Sequence, residues 1–179
     1  LKYSINNDLV VRAGRMGADV YMLSEYRNIG YAYLWARPVE EFYKAVVFSY
    51  FDGVDIAYTQ RLKRGNLEFK LFAGKTSVNL TKGDGYRAME LSDLIGFNIS
   101  FIDPTWKFRL GANTTKVTDL DDPIPSLRPI LNSIPSFIWP DINSINDKLK
   151  PYDKRISYYS AGFSHEADWQ IQSEIAYLD

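Results

Sequence analysis

Residues 91–113, LSDLIGFNISFIDPTWKFRLGAN, decide the fold class. Ile95, Phe97, Ile99 and Phe101 alternate with Gly96, Asn98 and Ser100. Asp103-Pro104-Thr105 follows as a tight turn, because proline presets φ and aspartate can bond the backbone two residues on. Trp106, Phe108 and Leu110 then alternate with Lys107, Arg109 and Gly111. Alternation of period two sends one set to each face of a sheet. The stretch therefore predicts one long β-hairpin with a broad apolar face and a small, polar, charged face. The question it raises is what the apolar face meets, a protein core or lipid.

Outward from this hairpin the same alternation recurs. Leu9, Val11 and Ala13 oppose Val10, Arg12 and Gly14. Val54, Ile56 and Tyr58 oppose Asp55, Ala57 and Thr59. Leu67, Phe69, Leu71 and Ala73 oppose Glu68, Lys70 and Phe72. Near the end of the chain, residues 155–165 and 169–178 form a last hairpin, with Trp169, Ile171, Ile175 and Tyr177 against Gln170, Gln172 and Glu174. Seven stretches thus read as strands, and residues 3–8 read as a polar turn. The predicted class is all-β, an antiparallel up-and-down meander in a single unit spanning residues 1–179. Long loops are expected at about 16–50, 76–90 and 114–152, with a short strand at 31–35. The last loop holds Pro123, Pro125, Pro129, Pro135 and Pro140, yet its apolar residues keep helical spacing. Two short helices broken near Pro135 and Pro140 are expected there, and a connection of this length is expected either to fold inward and narrow or gate a passage or to form a compact external cap.

Composition narrows the class. The chain has 179 residues and a formal net charge of −1, so no global field recruits nucleic acid. Cysteine is absent, which excludes a disulfide framework and thiolate metal sites. Aromatic residues make up 15%, a share that suits sheets, interfacial girdles and sugar-binding surfaces alike. No apolar run approaches the ~18 residues of a spanning helix, whereas a spanning strand needs only ~9–11 alternating residues. The first residue is Leu1 rather than an initiator methionine and the sequence itself contains no signal peptide, so a mature segment or an excised piece is expected.

The connections alternate short and long. The short ones, near residues 4–8, 62–66, 103–105 and 166–168, fall on one edge of an up-and-down sheet, and the long ones fall on the other. Outer-membrane barrels have this asymmetry. Phe101, Trp106 and Trp169 lie beside short turns, at the level where an interfacial girdle sits. A soluble sheet explains each strand equally well; the loop rhythm and the girdle favour part of a transmembrane β-barrel. In that reading Phe97 faces lipid and Asn98 faces water, so Asn98→Arg is expected to be mild.

The segments VRAGRMGADVYMLSEYRNIGYAYLWARPVEEFY, FSYFDGVDIAYTQRL and LEFKLFAGKTS resemble Gram-negative outer-membrane porin-like barrels. The resemblance rests on Arg12, Gly14 and Arg15, on Arg27, Gly30 and Tyr31, on Trp35, Arg37 and Pro38, and on Phe51, Asp52, Gly53 and Asp55. It implies a pore-forming fold in the bacterial outer membrane that passes small hydrophilic solutes. Complete barrels of this kind have many more strands, so the chain is expected to be one segment. The remainder of the barrel or a homo-oligomer, outer-membrane lipid and the solutes are its expected partners. The alternative is a soluble envelope β-domain binding a ligand such as a carbohydrate through its aromatic loop.

Candidate pore-lining residues are Arg12, Arg15, Asp55, Glu68, Lys70, Lys107, Arg109, Gln172 and Glu174. Candidates for stacking a ligand are Tyr31, Tyr33, Trp35 and Arg37. No enzyme activity, cofactor or metal is expected. His165, the one histidine, stands between Ser164 and Glu166, and adjacent strand residues point to alternating faces rather than converging as a triad. Asp119, Asp121 and Asp122 lack the glycine and trailing glutamate of a Ca²⁺ loop.

Overall fold

The computed structural model describes residues 1–22, 24, 48–82, 85–120, 128–135, 137–142, 144 and 154–179. These hold one antiparallel sheet of eight strands in sequence order. The strands are β1 (Lys2–Ser4), β2 (Leu9–Gly17), β3 (Tyr50–Leu62), β4 (Gly65–Lys82), β5 (Gly85–Ile102), β6 (Trp106–Leu120), β7 (Lys154–Glu166) and β8 (Gln170–Leu178). A six-residue helix, α1 (Arg128–Ser133), lies between β6 and β7. Each strand pairs only with its chain neighbours, so β1 and β8 form the two edges and the sheet is not closed.

The meander is as the alternation predicts, with three differences. Lys2, Tyr3 and Ser4 pair with Arg12, Val11 and Val10, adding a strand where the sequence reads as a turn. Residues 76–82 and 85–90 are strand rather than loop. Val78 pairs with Met89 and the register runs on to Lys82 opposite Gly85; the β-branched Thr76, Val78 and Thr81 suit a pleated strand despite their polar company. The connection between β6 and β7 is correspondingly shorter than 114–152, because β6 runs to Leu120 and β7 starts at Lys154. Of the two helices expected there, α1 is one, and residues 145–150 of the other lie outside the described residues. So do residues 31–35.

The short turns are built by side chains that imitate the backbone. Asn6 Oδ1 accepts from the N–H groups of Asp8 (2.8 Å) and Leu9 (2.7 Å). Asp103 Oδ1 accepts from Thr105 N–H (2.8 Å) and Trp106 N–H (2.7 Å), as its place before Pro104 predicts. These turns, with that at residues 63–64 and that after β7, lie at one end of the sheet.

The two faces have opposite fates. On the apolar face Ile56, Leu71, Phe97, Leu110, Tyr159 and Ile175 are all exposed, Leu71 and Ile175 by 60% and 72%. On the other face Asp55, Asn98, Ser100, Arg109 and Ser160 are buried. The core lies on this second face, toward the long-loop end. It gathers Phe51, Phe72, Leu91, Leu94, Val117 and Tyr158 with Ala18, Val20 and Tyr21, which run off the end of β2. Phe51 and Phe72 meet with ring centroids 5.5 Å apart. An irregularity in β5 between Ser92 and Ile95 makes part of this core possible. Asp93 takes φ +50° there, and the extra residue changes the alternation, so that Leu91 and Leu94 both turn inward. Aspartate is among the few residues that accept this left-handed conformation.

Candidate functional site

The buried polar face is organised in rows set by strand register. One row crosses five neighbouring pairs as Thr59, Glu68, Ser100, Arg109, Gly162 and Glu174. The next runs Ala57, Lys70, Asn98, Gly111, Ser160 and Ala176. Small residues recur at Gly162, Gly111, Ser160 and Ala176, so the rows leave a shallow bed. Residues 18–22 lie in that bed. A Cβ on Gly111 would sit 2.7 Å from Asn98 Oδ1 and 3.1 Å from Ser160 Oγ, with Val20 O at 3.7 Å. One on Gly162 would sit 3.2 Å from Met22 Sδ.

Asp19 is the centre of the arrangement. Its carboxylate takes Lys70 Nζ at 2.9 Å on one oxygen and an Arg109 guanidinium nitrogen at 2.7 Å on the other. Its main-chain carbonyl accepts from Asn98 Nδ2 (2.7 Å) and from Arg109 (2.9 Å). The carbonyl of Val20 accepts from Ser160 Oγ (3.3 Å), and the N–H of Met22 donates to Glu174 Oε1 (2.9 Å). Ser24 Oγ accepts from the N–H groups of Val20 and Tyr21, which turns the chain back. One short peptide is thereby bonded to five consecutive strands. Burial alone pushes the Asp19 carboxyl up, but the charges and hydrogen bonds of Arg109 and Lys70 outweigh it and hold it below the ordinary carboxylate value.

The sequence candidates distribute as follows. Arg12 and Asp55 face each other across β2 and β3 and form a bidentate pair, with Arg12 Nε 2.9 Å from Asp55 Oδ1. Asp55 is 1% exposed, so this pair is structural first. Lys70, Arg109 and Glu174 converge on residues 19–22. Glu68 stands exposed in the first row, and Lys107 and Gln172 flank Ser164 nearest the short turns. Arg15 is a correction. Three residues from Arg12 is an odd step, so it falls on the apolar face, bound to Asp52 (2.8 and 2.9 Å) and over the ring of Tyr50. Tyr31, Tyr33, Trp35 and Arg37 lie outside the described residues.

Sequence reasoning missed Asp19, Asn98 and Ser160. The signal was slight: one acid between Ala18 and Val20-Tyr21, where the strand alternation of β2 ends. The small residues opposite were the other half of it. Asn98 is also a correction. It does not enter water but is 4% exposed and spent on Asp19 O, so arginine there would displace the bed's contents.

The connection between β6 and β7 was expected to fold inward or to form an external cap. Its described part leaves Phe137, Ile138 and Trp139 exposed and Ile142 buried, the rest of it lies outside the described residues, and among the described residues segment 18–22 bonds to the polar face. His165 joins no catalytic set. It is 8% exposed on the apolar face, between the rings of Trp106 (4.4 Å) and Trp169 (4.2 Å). Among the described residues no group of acids, histidines or cysteines has metal-binding geometry. Compared with known protein families, with curated proteins and with solved structures, the chain matches none.

Proposed function

We propose that this chain is a segment of a porin-like β-barrel of the Gram-negative outer membrane, whose polar face lines a passage for small hydrophilic solutes. The carrying observation is the inversion of exposure. On the apolar face, side chains that water would expel stand exposed in registered rows such as Tyr58, Phe69, Ile99, Leu110, Ala161 and Ile175, of which only Ile99 and Ala161 are half-buried. Charged and amide groups occupy the sheltered face. Soluble proteins rarely expose apolar patches above a few hundred Å², and a contiguous face of this extent marks contact with lipid or another protein. Spanning barrels alternate in this sense, apolar outward and polar inward.

Two further features support the reading. Trp106 stacks on Phe108 with centroids 5.6 Å apart and lies near Phe163, His165 and Trp169, all on the apolar face at the short-turn end. Indole rings favour that level of a membrane, where one side is apolar and the other wet. A groove of about 500 Å³ beside this cluster, lined by Phe101, Phe108, Leu110, Phe163 and Ile175, offers an aliphatic chain a seat. The open edges at β1 and β8 require pairing in hydrocarbon, by more of the same barrel or by further copies. In the passage, segment 18–22 narrows the free space over the central strands.

Reconstitution of the intact protein into planar bilayers tests this. Steady conductance to small ions is expected. A protein that stays monodisperse without detergent and leaves bilayers silent overturns it.

A further inference from the structure

The groups that hold residues 19–22 are those that would hold a free solute of the same chemistry. Lys70 and Arg109 clamp a carboxylate; Asn98, Arg109 and Ser160 donate to the carbonyls that follow; Glu174 accepts an N–H. Among the strand groups that form this bed, Arg109 Nε, on a side chain 6% exposed, and Glu174 Oε2 are buried with no hydrogen-bond partner among the described residues, as is Asp19 Oδ1, which meets Arg109 only as an ion pair. The bed therefore has donor and acceptor capacity that residues 19–22 do not use. Arg109 keeps a guanidinium edge for a second oxygen, and Glu174 an oxygen for an ammonium or amide hydrogen.

We infer that this bed is a recognition site for carboxylate-bearing, amide-containing solutes the size of a short peptide, and that Asp19 occupies its carboxylate clamp as an internal surrogate. The solute and the segment compete. A carboxylate arriving in the clamp takes Lys70 and Arg109 from Asp19, and residues 18–22 lift. A neutral solute lacks the charge to displace Asp19 and gains nothing from the clamp. The inference deepens the channel reading and rests on it for the solute's access. Its test reads binding rather than conduction, so the two fail separately.

The experiment uses the intact protein in detergent with Asp19→Gly, which empties the clamp. Thermal midpoints are compared in sodium acetate, N-acetylglycine, acetamide and sodium chloride at matched ionic strength. Acetate should raise the midpoint in a saturable way and N-acetylglycine should do so at lower concentration, while acetamide and chloride leave it unchanged. Adding Arg109→Gln should cut the apparent acetate affinity about tenfold or more, the size of one charge-assisted hydrogen bond. Equal effects of acetate and chloride, or none from either, overturn the proposal.

Should Asp19→Gly fail to assemble, Ala18→Cys serves instead. Ala18 is 6% exposed and the chain carries no other cysteine. N-acetylglycine should then speed maleimide labelling of Cys in the otherwise unaltered protein, and acetamide should not. Labelling indifferent to both solutes overturns the proposal as surely.

Discussion

Asp19 shows how one short side chain can fix a peptide over a sheet. Its two cationic partners are themselves sheltered, with side chains exposed by 15% for Lys70 and 6% for Arg109. Removing the acid leaves both charges without their counter-ion, a change worth about 3–5 kcal/mol for a buried pair. Asp19→Ala should therefore lower the urea midpoint strongly, and Asp19→Asn less, because the amide can still accept one hydrogen bond. The pH dependence follows from the same contacts. The folded carboxyl titrates below its unfolded value of 3.8, so its stabilisation is full above that value and is lost as pH falls through the folded one. Pepsin should accordingly cut near Tyr21 only in that acid range; cleavage there at pH about 5 would contradict the linkage. Gly111 makes a second residue-scale case. A Cβ at 2.7 Å from Asn98 Oδ1 forces Asn98 and Ser160 apart. Gly111→Val should unseat residues 18–22 while the strands still pair, seen as rapid hydrogen exchange at Val20 and Tyr21 with protected amides in β6.

At the scale of the element, the strands were legible because each alternates cleanly and each short turn carries its own chemistry. Asn6 and Asp103 act in the structure as their residue types predict. Less legible was where strands stop. Polar residues beyond Lys75 looked like a loop, yet pairing in a hairpin is settled by the partner strand, here residues 85–91. The bulge at Asp93 was invisible for a related reason: it is a mismatch between two strands and has no signature in one. Arg15 was misplaced by grouping it with Arg12 among the pore-lining residues, although their odd separation sends them to opposite faces. Asp19 was hidden because its partners lie on β4 and β6, far along the chain. The element-scale prediction compares two arginines. On β5, Phe97→Arg places a charge on the exposed apolar face, at about 2–4 kcal/mol if that face meets the bilayer midplane. Thr59→Arg, on the polar face directly opposite Glu68, should stay within about 0.5 kcal/mol. Equal loss of membrane assembly from both would count against the orientation.

For the whole molecule, the two unpaired edges decide behaviour. β8 is nine residues long and β1 three, and on each edge every second residue turns its backbone donor and acceptor away from the sheet. Such edges recruit other strands in water and are intolerable in lipid. The 179-residue chain alone should therefore associate edge to edge instead of conducting as a monomer. Cross-linking after transfer from denaturant into detergent should give oligomers, whereas steady single-channel currents from a verified monomer would refute this.

The bonds of residues 19–22 have a kinetic consequence. Every strand pairing in the meander joins chain neighbours, so strands can add one after another, through short turns in most cases and through residues 18–49 and 121–153 in two. Asp19 to Lys70 spans 51 residues, Asp19 to Asn98 79, Val20 to Ser160 140 and Met22 to Glu174 152. The peptide that leaves the second strand thus waits for the eighth. It can dock fully only after β4 to β8 are in register, because each of these five supplies an anchoring residue. Burial of Ala18 and Val20 should be the final phase of refolding, slower than the appearance of β structure, and it reports that every strand in between has arrived in its place.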